Sequence, residues 1–118
     1  NRSPRSMSIL GAVLLAACTG AAQAAPYVMY KDPHCGCCTQ WADHARMGLA
    51  QKIESRDESR MDLLKARLGV PADLVSCHTA VIGGYVIEGH VPARDIARLM
   101  KERPKGVKGL AVAGMPLG

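Results

Sequence analysis

The sequence predicts one small α/β domain in the order β-α-β-α-β-β-α, and two observations carry that reading. A thiol cluster, His34-Cys35-Gly36-Cys37-Cys38, stands between a short β-prone run and a helical apolar stripe. Further along, two β-prone runs flank Gly83-Gly84 and lead into another helical pattern. A chain of 118 residues has the size of one domain with one core.

The elements follow in order. Tyr27 to Lys31 is short and β-prone, and Asp32-Pro33 breaks it. Cys38, Trp41, Ala42, Ala45 and Leu49 recur at helical spacing. The first helix therefore buries that stripe and turns Asp43, His44 and Arg46 outward. Lys52 to Asp57 reads as a short strand. Ser59-Arg60-Met61-Asp62 resembles a capping box, and Met61, Leu64 and Leu68 give the second helix a buried side until Gly69 and Pro71 stop it. Cys77 to Ile82 and Tyr85 to Glu88 form a hairpin, because both positions of Gly83-Gly84 accept positive φ. Pro92 opens a third helix with Ile96, Leu99 and Met100 inward, and Pro104 ends it. Leu110-Ala111-Val112 is an edge-strand candidate in the Gly- and Pro-rich remainder. Neither an internal repeat nor a second domain is visible.

Residues 1–24 are expected to be a leader. Arg2 and Arg5 precede Met7 to Ala17, an apolar run too short to span a bilayer and of the right length for a secretory signal. Ala22-Gln23-Ala24 offers ordinary cleavage, which would release a domain from Ala25. Leu15-Ala16-Ala17-Cys18 is the competing exit and would leave Cys18 as a lipid anchor. Either way the domain at 25–118 is expected outside the cytoplasm, in a bacterial periplasm. Asn1 and Gly118 both read as fragment edges, so the C-terminal extension is expected to be truncated.

Charge narrows the partners. The formal net charge is +5, and Arg2 and Arg5 of it belong to the leader. The remaining basic residues are scattered, and the chain has one Trp, three Tyr and no Phe. A nucleic-acid surface would want a basic face interleaved with aromatics, so that class is set aside. A monomer is expected.

The cysteines carry the chemistry. Setting Cys18 aside leaves Cys35, Cys37, Cys38 and Cys77. A structural disulfide framework fits them badly, because bridges between near neighbours remove little loop entropy. The element order is the thioredoxin-like arrangement, and Cys35 to Cys38 contains Cys-x-x-Cys at the first helix start. In that arrangement the residues before the hairpin lie against the thiol turn, usually with a cis-proline. Here Ser76-Cys77-His78-Thr79 takes that place without one. Four sulfurs and an imidazole are thus expected in one pocket.

Two chemistries compete for it. A helix N-terminus stabilises thiolates, and thiolates select Cu(I), Zn(II) or iron–sulfur clusters. Zinc commonly takes two Cys-x-x-Cys pairs, and an iron–sulfur cluster sits poorly with export as an unfolded chain. Sulfurs this crowded suit bridging several Cu(I) ions, with His34, His78 and the thioether of Met115 as further ligand candidates. The rival is a metal-free thiol–disulfide oxidoreductase with Cys35 as nucleophile and Cys38 as resolving thiol. That scheme leaves Cys37 idle. A passive copper store or chaperone is the third reading. His34 is equally well a turn residue, His44 faces outward, and His90 lies in a loop. Trp41, Met29, Met47, Met61 and Met100 are read as core.

Together, Tyr30-Lys31-Asp32-Pro33-His34-Cys35-Gly36-Cys37-Cys38, Trp41, Ser76-Cys77-His78-Thr79, Gly84 to Pro92 and Gly114-Met115-Pro116 resemble the CopG-type copper-resistance family, long catalogued as a domain of unknown function. The likeness runs from about Pro26 to Gly118. It implies a periplasmic thioredoxin-like domain holding a thiolate-bridged multicopper site. Its cysteines map to Cys35, Cys37, Cys38 and Cys77. It also implies interconversion of Cu(I) and Cu(II), so a copper oxidoreductase, with copper ions, an efflux system and an electron donor as partners. The family's C-terminal extension contributes to metal binding, and this sequence stops soon after Met115.

Overall fold

The computed structural model describes residues 25–113. The expected leader with Cys18, and the expected ligand Met115, lie outside the described residues. β1 (Tyr27–Lys31) runs parallel to β2 (Ile53–Asp57) on one side and antiparallel to β3 (His78–Ile82) on the other. β4 (Tyr85–Glu88) pairs antiparallel with β3, and β5 (Gly109–Ala111) closes the edge parallel to β4. The sheet order is β2-β1-β3-β4-β5.

Helices α1 (Gly36–Leu49), α2 (Met61–Arg67) and α3 (Ala93–Glu102) fill the connections. A parallel pair needs a crossover, and α1 supplies it between β1 and β2. The hairpin turn has Gly83 at φ +58° and Gly84 at φ +85°, the twist that two-residue turns require. The order is the predicted one, with β5 beginning one residue before the expected edge strand.

Strand alternation sorts the two faces. Met29, Ala80 and Ile87 share a register row and pack under Trp41, Ala42 and Ala45 of α1 and Ile96 and Leu99 of α3. Met29, Ile82, Ile87 and Ile96 are fully buried, and trimming any one to alanine is worth about 2–5 kcal/mol. Thr79 and Glu88, paired in register, point to the opposite face, toward Lys65 of α2. His78 therefore faces α1.

Several local expectations change. Ser59 does not cap α2: Arg60 is the N-cap residue without a side-chain cap, and its N–H donates to Glu58 Oε1 at 3.0 Å. The helix starts one residue later than a Ser59 cap requires, so the Ser59 hydroxyl is not at the capping position. Arg46, expected outward, folds back so that Nε and Nη2 donate to the Ile53 carbonyl at 3.0 and 2.7 Å. α1 ends at Ala50 with φ +50°, and the reversing chain brings that carbonyl beneath the guanidinium. His44 is also committed: its Nε2 accepts the Ala93 N–H at 3.1 Å, one of the otherwise unpaired donors at the start of α3. Pro92 sits at the N-cap of α3 rather than inside it.

Candidate metal centre

The thiol turn is built locally. β1 ends at Lys31, and the Asp32 carbonyl accepts the Cys35 N–H at 3.0 Å while Asp32 Oδ1 accepts the His34 N–H at 2.9 Å. Cys35 is the N-cap of α1 at φ −87°, ψ 95°, with no side-chain cap and no acidic residue in the first turn. The unpaired N–H groups there leave a positive partial charge facing the sulfurs. Cys35 and Cys37 are partly exposed and Cys38 is fully buried. Cys35 and Cys38 are joined as a disulfide with Cα atoms 5.8 Å apart, and Cys37 and Cys77 are free thiols.

The second stretch closes over the first. Cys37 Sγ lies 3.4 Å from Cys35 Sγ, and Cys38 Sγ lies 3.8 Å from the Cys77 carbonyl oxygen. Cys77 Sγ is 3.5 Å from His78 Nδ1. Three ligand sets form, each with its donor atoms within 4.8 Å of one another: Cys35, Cys37 and Cys38; Cys37, Cys77 and His90; Cys38, Cys77 and His78. Cys37, Cys38 and Cys77 each belong to two of them, so the sets fuse into one cluster. No peptide bond among the described residues is cis, and no proline separates Cys77 from the turn.

The imidazoles line the inner wall. The His78 ring packs 4.4 Å from the Trp41 ring and 5.2 Å from that of His90, centroid to centroid. Trp41 is core as expected, with its Nε1 donating to the Val91 carbonyl at 2.9 Å, and it is also the wall of this pair. Burial pushes His78 down to about 4, with His90 and Lys65 adding to the effect, so the ring is neutral at neutral pH. Burial likewise raises the Cys77 thiol; a hydrogen bond with Ser76 opposes this and Cys37 adds to it. Nε2 of both His78 and His90 is buried without a hydrogen-bond partner among the described residues. Buried polar atoms are rarely left so. Two imidazoles beside four sulfurs fit a soft metal ion, with Nδ1 of His78 the ring nitrogen that faces the Cys77 sulfur.

A solved structure described as copper resistance protein CopG, form 2, is 42% identical, covers 79% of this chain and is covered over 73% of its own, with a TM-score of 0.71. The chain belongs to the CopG copper-resistance family. A second structure, CopG form 1, is 41% identical over 77% of this chain and 70% of its own, with a TM-score of 0.64. A family model described as a protein of unknown function, DUF411, matches residues 74–118, the part that carries Cys77, His78 and His90. No curated protein sequence matches the chain.

For a CopG relative, the placement of the sequence-derived candidates is uneven. Cys35, Cys37, Cys38, Cys77 and His78 meet. His34 does not: it is exposed, its backbone serves the turn, and it enters none of the three sets. His90, set aside as a loop residue, does enter one. The signal for it was register: Thr79 opposes Glu88, so the chain two residues past Glu88 must return beside Cys77, two residues before Thr79. Sequence reading also missed a buried ion pair behind the site. Lys65 Nζ donates to Glu88 Oε2 at 2.5 Å and to Thr79 Oγ1 at 2.9 Å. Thr79 Oγ1 donates to Glu88 Oε1 at 2.5 Å, and the Ser76 N–H donates to Glu88 Oε2 at 2.7 Å. A lysine inside a seven-residue helix gives no hint of this until the sheet is assembled.

Proposed function

We propose that the protein is an extracytoplasmic copper-resistance protein in which the thiolates of Cys35, Cys37, Cys38 and Cys77, with His78 and His90, hold copper in a thiolate-bridged site of more than one ion. The observation that carries this reading is the fusion of three ligand sets through shared Cys37, Cys38 and Cys77. Sulfurs shared in this way suit bridging, and Cu(I) favours soft ligands. Membership of the CopG family adds copper as the metal, and Met115, outside the described residues, is proposed as a further thioether ligand. Bound copper would supply a one-electron couple, which makes interconversion of Cu(I) and Cu(II) the proposed activity and an efflux system or electron donor the proposed partner. The neutral His78 ring needs no deprotonation to act as a ligand. The raised Cys77 thiol does, so loading releases protons and strengthens as pH rises. Residues 1–24 are proposed as the export signal, checked by the mass of the mature N-terminus: Ala25, or a lipidated Cys18.

The Cys35–Cys38 disulfide supports a second reading, a metal-free dithiol exchanger, because it takes ligands out of two of the three sets. Cys37→Ser separates the two. A bridged copper site loses ions per chain and its sulfur-to-copper charge-transfer absorption; a dithiol exchanger keeps most of its exchange rate. Metal analysis with thiol counting on protein purified from the periplasm completes the test. Four reactive thiols with no copper after reduction and Cu(I) loading would falsify the copper reading.

A further inference from the structure

We propose that Glu88 is a positioning residue for the metal centre: from the far face of the sheet, its carboxylate fixes the Ser76 N–H and so places the Cys77 sulfur against Cys37 and Cys38. The proposal rests on the thiolate-site reading above.

Lys65 and Glu88 are the only buried pair of charged side chains among the described residues, 6% and 1% exposed. A buried ion pair is a poor way to stabilise a fold, since apolar residues of similar volume usually do as well or better. Its geometry points to another use. Both carboxylate oxygens are engaged: Oε1 by Thr79, Oε2 by Lys65 and by the Ser76 N–H. Lys65 and Thr79 also bond to each other, so the carboxylate is held from two elements and cannot swing. The one backbone group it grips is that of Ser76, the residue immediately before Cys77. The connection leading there from α2 contains only a single 3₁₀ turn, Ala72–Leu74, and makes no strand pairing of its own.

Glu88 acts through its backbone as well. Its carbonyl accepts the Val112 N–H at 3.0 Å, which fixes where the C-terminal segment leaves β5. The next residue, Gly89, has φ +78°, and a Cβ there would run into the Val112 carbonyl oxygen and come within 2.8 Å of Ser76 Oγ. The Ser76 loop, Gly89 and Val112 are thus one packed layer with Glu88 as its anchor. Strand alternation completes the link: Thr79 turns to the carboxylate, and His78 beside it turns to the thiols.

The test uses the full, reduced, metal-free chain in two charge-neutral pairs, K65M/E88Q and K65M/E88L. The glutamine keeps an oxygen acceptor for the Ser76 N–H; the leucine removes it. The primary readout is the rate of Cys77 alkylation by iodoacetamide relative to Cys37, followed by peptide mass spectrometry. The leucine pair is expected to alkylate Cys77 several-fold faster than the glutamine pair, and to bind Cu(I) about ten-fold more weakly in competition with a bicinchoninate chelator. Equal Cys77 rates in two folded pairs overturn the proposal, whatever the stability difference between them. If the leucine pair does not fold, K65M/E88M decides, since the unbranched methionine keeps the length of the glutamate without an oxygen acceptor for the Ser76 N–H: a faster Cys77 than in the glutamine pair supports the positioning role and an equal rate overturns it. Should the wild type bind no Cu(I) while the Cys77 rates still differ, the copper reading fails and the positioning role stands. Wild-type Cu(I) binding with equal rates overturns the positioning role and leaves the copper reading standing.

Discussion

The two stretches that meet at the sulfurs are held by different physics. Residues 32–38 take their geometry from their neighbours in sequence: an Asp32 turn, a proline break and the first turn of α1. Residues 76–90 take theirs from across the molecule, through Glu88 on β4, Lys65 on α2 and the wedge of Gly89 against Ser76. The first stretch brings the reactive groups; the second decides whether they have partners. Changes at the thiol turn should therefore alter chemistry and leave folding nearly untouched. Changes behind Cys77 should alter both.

The largest effect is expected from Glu88→Ala alone. It strands the Lys65 ammonium in the interior, and breaking a buried pair from one side typically costs about 3–5 kcal/mol. Against a total stability on the order of 5–15 kcal/mol, that is a large share. Urea unfolding of the reduced, metal-free protein measures it. Cys37→Ser in the same assay should lose about 1 kcal/mol or less. The K65M/E88L pair should recover most of the loss, because no charge is left unmatched. A Glu88→Ala loss no greater than that of Cys37→Ser breaks the contrast between the two regions.

Acid sharpens it next. His78 is held near 4 in the folded chain against an ordinary 6.5, chiefly by burial. The folded state then binds fewer protons than the unfolded state between those values. The stability from keeping the ring neutral is fully present above about 6.5 and is lost as pH falls toward about 4. A shift of this size corresponds to about 3 kcal/mol across the window. Carboxylates also titrate there, so the measure is a difference: unfolding free energy against pH for the wild type and for His78→Leu. The leucine variant should lack the His78 contribution to the slope. Parallel curves would mean that the ring is hydrated and the pocket open.

The same division explains what could be read from the sequence. Thiol turn, apolar stripe of α1, Gly-Gly hairpin and the inner residues of α3 are all local patterns, and each is where periodicity or turn chemistry puts it. The approach of Cys77 to the thiols followed from reading the element order as a thioredoxin-like arrangement. His90 and the Lys65–Glu88–Thr79 network did not, because they depend on strand register and on which face of β3 looks at α2. The bonds made by Arg46 and His44 were hidden for a related reason. Helical spacing marks both as outward, and His44 is exposed, yet one reaches a carbonyl of β2 and the other the first N–H of α3. Side chains that cap or tie another element carry no periodic signature of their own.

The smallest expected effects come from a pair of glycines, one in each region. Gly89 sits at φ +78°, and an added Cβ meets Val112 and Ser76, so Gly89→Ala should lose about 1–3 kcal/mol through backbone strain and displaced neighbours. Because Ser76 is among those neighbours, the same variant should also expose Cys77 to alkylation. Gly36 stands inside the Cys-x-Cys-Cys sequence, and a Cβ there meets nothing within 4 Å. Gly36 opens α1, where alanine is the better helix former, so Gly36→Ala should be neutral or stabilising by up to about 1 kcal/mol. Its Cys77 rate should match the wild type. The motif glycine that looks indispensable beside three thiols is thus replaceable for folding, while the unremarked glycine after β4 is not. Thermal unfolding of the two variants side by side, with Cys77 alkylation in each, tests this directly. A Gly36→Ala loss larger than that of Gly89→Ala would place the constraint at the thiol turn and reverse the assignment of local and remote control.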